Sequence, residues 1–325
     1  MNKNNQIESE LSRLYLQFLN RKPSKEEINS WSNQINSGEV ILEDLSGMIS
    51  GSLEAYRLRL KQNLETEQTD KIILDDHTFY LNSDDSVMIE TYALSDNYDA
   101  GTTLLLKKLL KKEMNVINIG ANMGYYTLLS ARGVGSSGKV WSFEPSSSTA
   151  ELLQKNILVN NYHNIEVITM AVSNKTGSAV LSIGGSSLHN IISAKEIPQM
   201  KKIEILVTTI DDFMSDKSFQ IDFIIMDAEG HEKYILDGLS NTLQKNPNME
   251  IIAEYNPYTL ELAGTHPEQF LNTIHELGYF IYLIDESNLS VKKINKDDLI
   301  NQIRYPHVAN IYLTKKPTFE FNNSS

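Results

Sequence analysis

The feature that most constrains this chain is a rhythm beginning near residue 116, where short apolar runs alternate with amphipathic stretches. The runs are Val116 to Ile119, Lys139 to Phe143, Ile165 to Met170, Ile221 to Met226, Met249 to Glu254, Tyr279 to Ile284 and Val308 to Leu313. Helix candidates between them are Gly124 to Arg132, Ser147 to Asn160, Glu232 to Gln244 and Pro267 to Leu277. Strands separated by helices pair in parallel through right-handed crossovers, with both sheet faces covered. An α/β chain with a doubly wound sheet is therefore expected. The rhythm is interrupted from about Val180 to Val207, around a polar Gly-Ser stretch that holds His189. Long insertions near the ligand end of such a sheet often serve as substrate loops.

The first third reads differently. Leu11, Leu14, Tyr15, Phe18 and Leu19 recur at helical spacing, and Asn20 to Pro23 breaks that helix. Ser24 with Glu27 has capping-box spacing, and Ser37-Gly38 stops the second helix. Two more helices are expected, near Leu42 to Ile49 and Leu53 to Leu64, before an acidic linker at Glu65 to Asp70. Strand candidates follow at Ile72 to Leu74, His77 to Leu81 and Val87 to Thr91, then a helix near Thr102 to Lys112. The expected division is a helical domain over 1–66 and an α/β domain over 71–318.

Composition removes several function classes. The chain of 325 residues has no cysteine, which excludes disulfide scaffolds, thiolate metal sites and cysteine nucleophiles. Its net charge of -13 repels phosphate backbones, so nucleic acid is not expected as a partner. A polar N-terminus and the lack of a long apolar run predict a cytoplasmic protein without a membrane span.

Val116 to Ile119 runs into Gly120-Ala121-Asn122-Met123-Gly124 and then a helix. Glycines in such a turn let the backbone approach a ligand at the carboxyl end of a strand. The spacing is neither G-x-G-x-x-G nor a P-loop, which argues against dinucleotide and nucleoside triphosphate readings. Glu144 follows the next strand, where an acid accepts hydrogen bonds from ribose hydroxyls. Loop and acid together point to a nucleoside-containing ligand.

The run Val116 to Thr127, Phe143-Glu144-Pro145, the Asn156 to Asn160 helix end and Asp222 to Glu232 together resemble FkbM-type S-adenosylmethionine-dependent methyltransferases. The resemblance spans about residues 115–255. It implies a class I fold of seven strands, the last antiparallel, with the methyl donor S-adenosylmethionine over the first two. It further implies O-methylation of a sugar, glycan or secondary-metabolite hydroxyl. Donor contacts are implied at Asn118, Gly120, Asn122, Gly124, Tyr125, Glu144, Pro145 and Asp227. Two positions depart from the family pattern: Asn118 replaces an acid, and Ile225 replaces a lysine. The helical segment around Leu14 to Pro23 and Trp31 resembles a small domain of unknown function from bacterial surface and glycan-assembly proteins.

Methyl transfer is an in-line displacement at a sulfonium, so most of the acceleration comes from alignment. A hydroxyl acceptor also needs a base within reach. Asp227, Glu229 and His231 are the catalytic candidates, while His231 and Glu232 would alternatively cap the next helix. Asp227, Glu254 and Asn256 offer oxygen ligands to Mg²⁺, although carboxylates at strand ends also occur without metal, and none is expected. The alternative function is an inactive binding or scaffold module in glycan assembly that keeps the fold.

Overall fold

The computed structural model describes residues 3–38, 40–50, 71–81, 92, 98–183, 189–190 and 201–321. The expected helix at Leu53 to Leu64, the expected strand at Val87 to Thr91 and much of the insertion lie outside the described residues. The chain divides into two compact units, one of residues 1–71 with 89–95, the other of 72–88 with 96–325.

In the first unit, α1 (Lys3–Leu19) and α2 (Lys25–Ser37) are followed by a 3-10 turn and α3 (Leu45–Ser50). Ser24 and Glu27 form the capping box, and Gly38 ends α2 in the left-handed region. Leu11, Leu14, Tyr15 and Leu19 are buried with Ile35, Leu45 and Ile49. The Trp31 indole N–H donates to Tyr15 Oη at 2.9 Å.

The second unit opens with a hairpin, β1 (Lys71–Leu74) and β2 (His77–Tyr80), and then α4 (Ala100–Leu109). The large sheet begins with β3 (Asn115–Ile119), α5 (Tyr125–Val134), β4 (Lys139–Phe143), α6 (Ser147–Val159) and β5 (Ile165–Ile168). The insertion folds as its own small sheet in the order β6-β9-β7-β8, from β6 (Ala171–Val172), β7 (Gly177–Ile183), β8 (His189–Asn190) and β9 (Lys201–Thr208). After the short α7 (Ile210–Phe213), the main sheet resumes with β10 (Phe223–Met226), α8 (Glu232–Asp237), α9 (Ser240–Lys245) and β11 (Glu250–Tyr255). It closes through α10 (Pro257–Leu262), α11 (Pro267–Glu276), β12 (Phe280–Asp285), β13 (Ser290–Ile294), α12 (Lys296–Gln302) and β14 (Ala309–Thr314).

Strand order is β13-β12-β14-β11-β10-β3-β4-β5, with β14 antiparallel to both β11 and β12. Seven of these strands have the class I methyltransferase arrangement. The eighth, β13, was not expected. Its Ser290-Val291-Lys292-Lys293-Ile294 carries two lysines, as edge strands do, and pairs only with β12. The expected helix over Glu232 to Gln244 is two helices, broken at Gly238-Leu239, where the backbone passes against the Ser173 carbonyl.

Side chains alternate between two cores. Ile117, Ile119, Ile224, Met226 and Ile251 pack on one face with Ile235, Phe270 and Ile274. Val116, Phe223, Ile225 and Ile252 pack on the other with Leu105, Leu106 and Leu129. Strand order reverses between β3 and β10, and in open α/β sheets the crevice outside such a reversal is where ligands bind. Among the described residues, no helix is long and apolar enough to cross a membrane.

Candidate active site

The carboxyl ends of β3, β4, β10 and β11 bring the candidate residues together. The Gly120 and Ala121 N–H groups donate to the Phe143 carbonyl at 3.0 and 2.9 Å, pinning the loop to the end of β4. Gly120 has φ +75, and a Cβ there would stand 1.8 Å from the Asp227 carbonyl oxygen. No side chain fits, because the β3 and β10 ends pass in contact at this point. Gly124 packs against Leu153 Cδ1, which a Cβ would approach to 2.4 Å.

Glu144 is buried and bridges two loops. Its Oε2 accepts from the Asn122 N–H at 3.0 Å and its Oε1 from the Ser146 N–H at 2.9 Å. Pro145, half-buried, lies between these contacts. Asn122 adopts φ 48, and its Oδ1 is buried without a hydrogen-bond partner. A buried polar atom in that condition is costly unless something fills it. The loop thus offers an amide to a ligand beside the Glu144 carboxylate.

Two residues expected at the donor are tied to neighbouring side chains. Asn118 is on the α5 side of the sheet, and its Nδ2 donates to Thr127 Oγ1, which also pairs with Ser142 Oγ, each at 2.9 Å. In this buried chain the Asn118 amide supplies a proton to the Thr127 hydroxyl oxygen. Tyr125 is buried too, with its hydroxyl 2.8 Å from Thr103 Oγ1, and burial pushes its pKa up to about 12. Ile225 is part of the second core.

The second block turns sharply after β10. Glu229 has φ 50 and Gly230 φ +95, where a Cβ would stand 2.1 Å from the Thr259 carbonyl oxygen. Glu232 Oε1 accepts from the Ala228 and Gly230 N–H groups at 2.8 and 3.4 Å, so this acid ties the turn down. Burial still pushes its pKa up to about 7. Asp227 is raised by burial and then by the neighbouring Asp99. Glu229 is raised by burial and by Asp227 and Glu232. Glu254, at the end of β11, is raised well above its ordinary value by burial, then by Asp227, Glu229 and Glu232. Asp227, Glu232 and Glu254 therefore stand together, with Glu229 close enough to raise Glu254.

His231 is different. Its ring lies 4.8 Å from that of Tyr234, and burial alone pushes its pKa down to about 4. Asn256 is also occupied, its Oδ1 capping α10 through the Tyr258 and Thr259 N–H groups. The trio whose oxygens lie within 4.8 Å of one another is Asp227, Glu232 and Glu254, so Glu232 stands where Asn256 was expected. Nothing is described of the His189 side chain.

Asp99 was missed by sequence reasoning. It precedes α4 at φ 42, accepts from Tyr126 Oη at 2.5 Å and from Asn310 Nδ2 at 3.2 Å, and is close enough to Asp227 to raise it. In sequence it reads as an ordinary helix cap, although its side chain caps nothing.

No curated protein matches the sequence. A SAM-dependent methyltransferase from Aquifex aeolicus is 14% identical, with 72% of this chain and 95% of that chain covered, at a TM-score of 0.40. A SAM-dependent O-methyltransferase from Thermotoga maritima is 12% identical, with 77% and 79% covered, at a TM-score of 0.38. The model of the methyltransferase FkbM domain matches residues 118–281, just over half of the chain, from the end of β3 into β12. That span contains the glycine loop, Glu144 and the whole acidic block, and the chain belongs to the FkbM family of S-adenosylmethionine-dependent methyltransferases.

Proposed function

We propose that this enzyme transfers the methyl group of S-adenosylmethionine to a hydroxyl of a sugar, glycan or secondary metabolite. The observation that carries this reading is the carboxylate wall of Asp227, Glu229 and Glu254 at the strand ends beside the glycine loop. Hydroxyl groups donate to carboxylates, and the proton they lose on methylation needs an acceptor. In this reading, the sulfur keeps the electron pair of the breaking S–CH₃ bond as the acceptor oxygen bonds to carbon. The oxygen's proton passes to the Asp227 carboxylate, which is less strongly raised than that of Glu229.

The donor's ribose diol is assigned to Glu144 and its polar groups to Asn122 and the loop backbone from Gly120 to Gly124. Both Glu144 oxygens accept from backbone N–H groups, which fix the carboxylate beside the glycine loop. Alignment of sulfur, methyl carbon and oxygen then supplies most of the acceleration. The N-terminal segment 1–66 is assigned as a separate helical domain. The acceptor is a small molecule or glycan, since the net charge of -13 disfavours nucleic acid.

Calorimetric titration of S-adenosylhomocysteine and NAD, with transfer of labelled methyl from S-adenosylmethionine into cell glycans and metabolites, tests the reading. Expected are donor-product binding, no NAD binding, and label in an alkali-stable ether. Label in an amine or ester overturns the hydroxyl assignment. Donor binding with no incorporation in any fraction would point to the scaffold alternative.

A further inference from the structure

We propose that the carboxylates of Asp227, Glu232 and Glu254 form a binding site for a hard divalent cation. One oxygen from each lies within 4.8 Å of the others, on the end of β10, the start of α8 and the end of β11. These elements are braced. Glu232 is held by the Ala228 and Gly230 N–H groups, and Asp227 N–H bonds to the Ile119 carbonyl at 3.1 Å. Metal sites depend on this kind of outer support to orient their ligands.

A second observation points to a ligand. Glu254 Oε2 is shut off from solvent and has no hydrogen-bond partner. The same carboxylate is raised by burial and then by Asp227, Glu229 and Glu232, and the Asn256 side chain is the hydrogen-bonding neighbour that opposes them. Among the described residues, no lysine, arginine or histidine forms an ion pair with any of these four acids. A buried carboxylate oxygen without a partner is costly, and a shared proton or a bound cation satisfies it.

A set of carboxylate oxygens suits the hard divalent cations Mg²⁺, Ca²⁺ and Mn²⁺. All-oxygen donors also exclude the softer metals that require imidazole or thiolate. Three protein oxygens leave at least three positions of the usual six to eight, for water or for two hydroxyls of the acceptor. Only that last step rests on the methyl-transfer reading.

The test uses the full chain after chelator treatment. Mn²⁺ titration followed by electron paramagnetic resonance, with Ca²⁺ as competitor, should show one saturable site per chain. Glu254→Gln and Asp227→Asn should weaken it at least tenfold, and in chelator each should melt at or above the wild-type temperature because a repulsion is gone. That stability shows the variants fold. No saturable binding up to about 5 mM, the weak end for protein calcium sites, would mean that the cluster holds shared protons, and the proposal fails. Wild-type affinity in both variants overturns it equally. S-adenosylhomocysteine binding measured in chelator keeps the methyl-transfer reading separately testable.

Discussion

Glu144 sits at the join of two loops and, in the proposed function, at the donor. Its carboxylate satisfies the Asn122 and Ser146 N–H groups, so its removal has two effects. Glu144→Ala should weaken S-adenosylhomocysteine binding by about 1.5–3 kcal/mol, roughly ten- to hundredfold, with a smaller loss for Glu144→Gln. Calorimetry checks this, and unchanged affinity removes Glu144 from the site. Gly120→Ala is a stricter case, because its Cβ would overlap the Asp227 carbonyl and the backbone is left-handed. Overpacking and strain together should cost at least about 2–4 kcal/mol, read as a fall in the urea midpoint. The glycine loop was legible in sequence because its reason is local: a strand, a turn and a helix in succession. Asp99 was not, because its role comes from Asp227, Tyr126 and Asn310, distant in sequence and gathered only by the fold.

Elements show the same division between local and gathered causes. The main strands were legible because buried parallel strands are continuous apolar runs. β13 was hidden by its lysines, and the break between α8 and α9 by a contact with Ser173, 65 residues earlier than Gly238 and invisible to periodicity. The attachment of β2 to α6 is of the gathered kind. Asn156 Oδ1 accepts from the Tyr80 N–H at 2.7 Å, while its Nδ2 donates to the Tyr80 and Met123 carbonyls at 3.1 and 2.9 Å. One turn on, Asn160 pairs in the same way with the Thr78 N–H and carbonyl. Two amides thus stand in for a neighbouring strand. Because Asn156 is fully buried, Asn156→Ala leaves these backbone groups unmatched and should cost about 2–4 kcal/mol. Hydrogen exchange at the Tyr80 amide should accelerate well beyond that of β3, and equal protection would show that the hairpin is held by other contacts.

At the scale of the whole molecule, charge sets how stability responds to pH. The buried carboxylates hold protons that the unfolded chain releases above about pH 4, so their contribution falls as pH rises, through about 7 for Glu232. The buried histidines act in the opposite sense. His77, facing Tyr162, Arg132, Asp75 and Asp76, is pushed down to about 4 by burial first, as is His231, so folding excludes protons that the unfolded chain takes up. Their contribution therefore rises with pH from about 4 to about 6.5. The two effects oppose one another below pH 6.5, and above it only the carboxylates remain. In chelator, the urea midpoint should fall between about pH 6.5 and 8.5, by about 1.4 kcal/mol per pH unit for each proton held. General repulsion from a net charge of -13 has the same sign, but it acts over the surface and salt screens it. The decline that survives about 0.5 M salt, where surface charges are screened within a few Å, belongs to the buried cluster. Glu254→Gln should flatten that part, and a wild-type profile that is already flat in high salt would mean that Glu229, Glu232 and Glu254 do not hold the protons assigned to them.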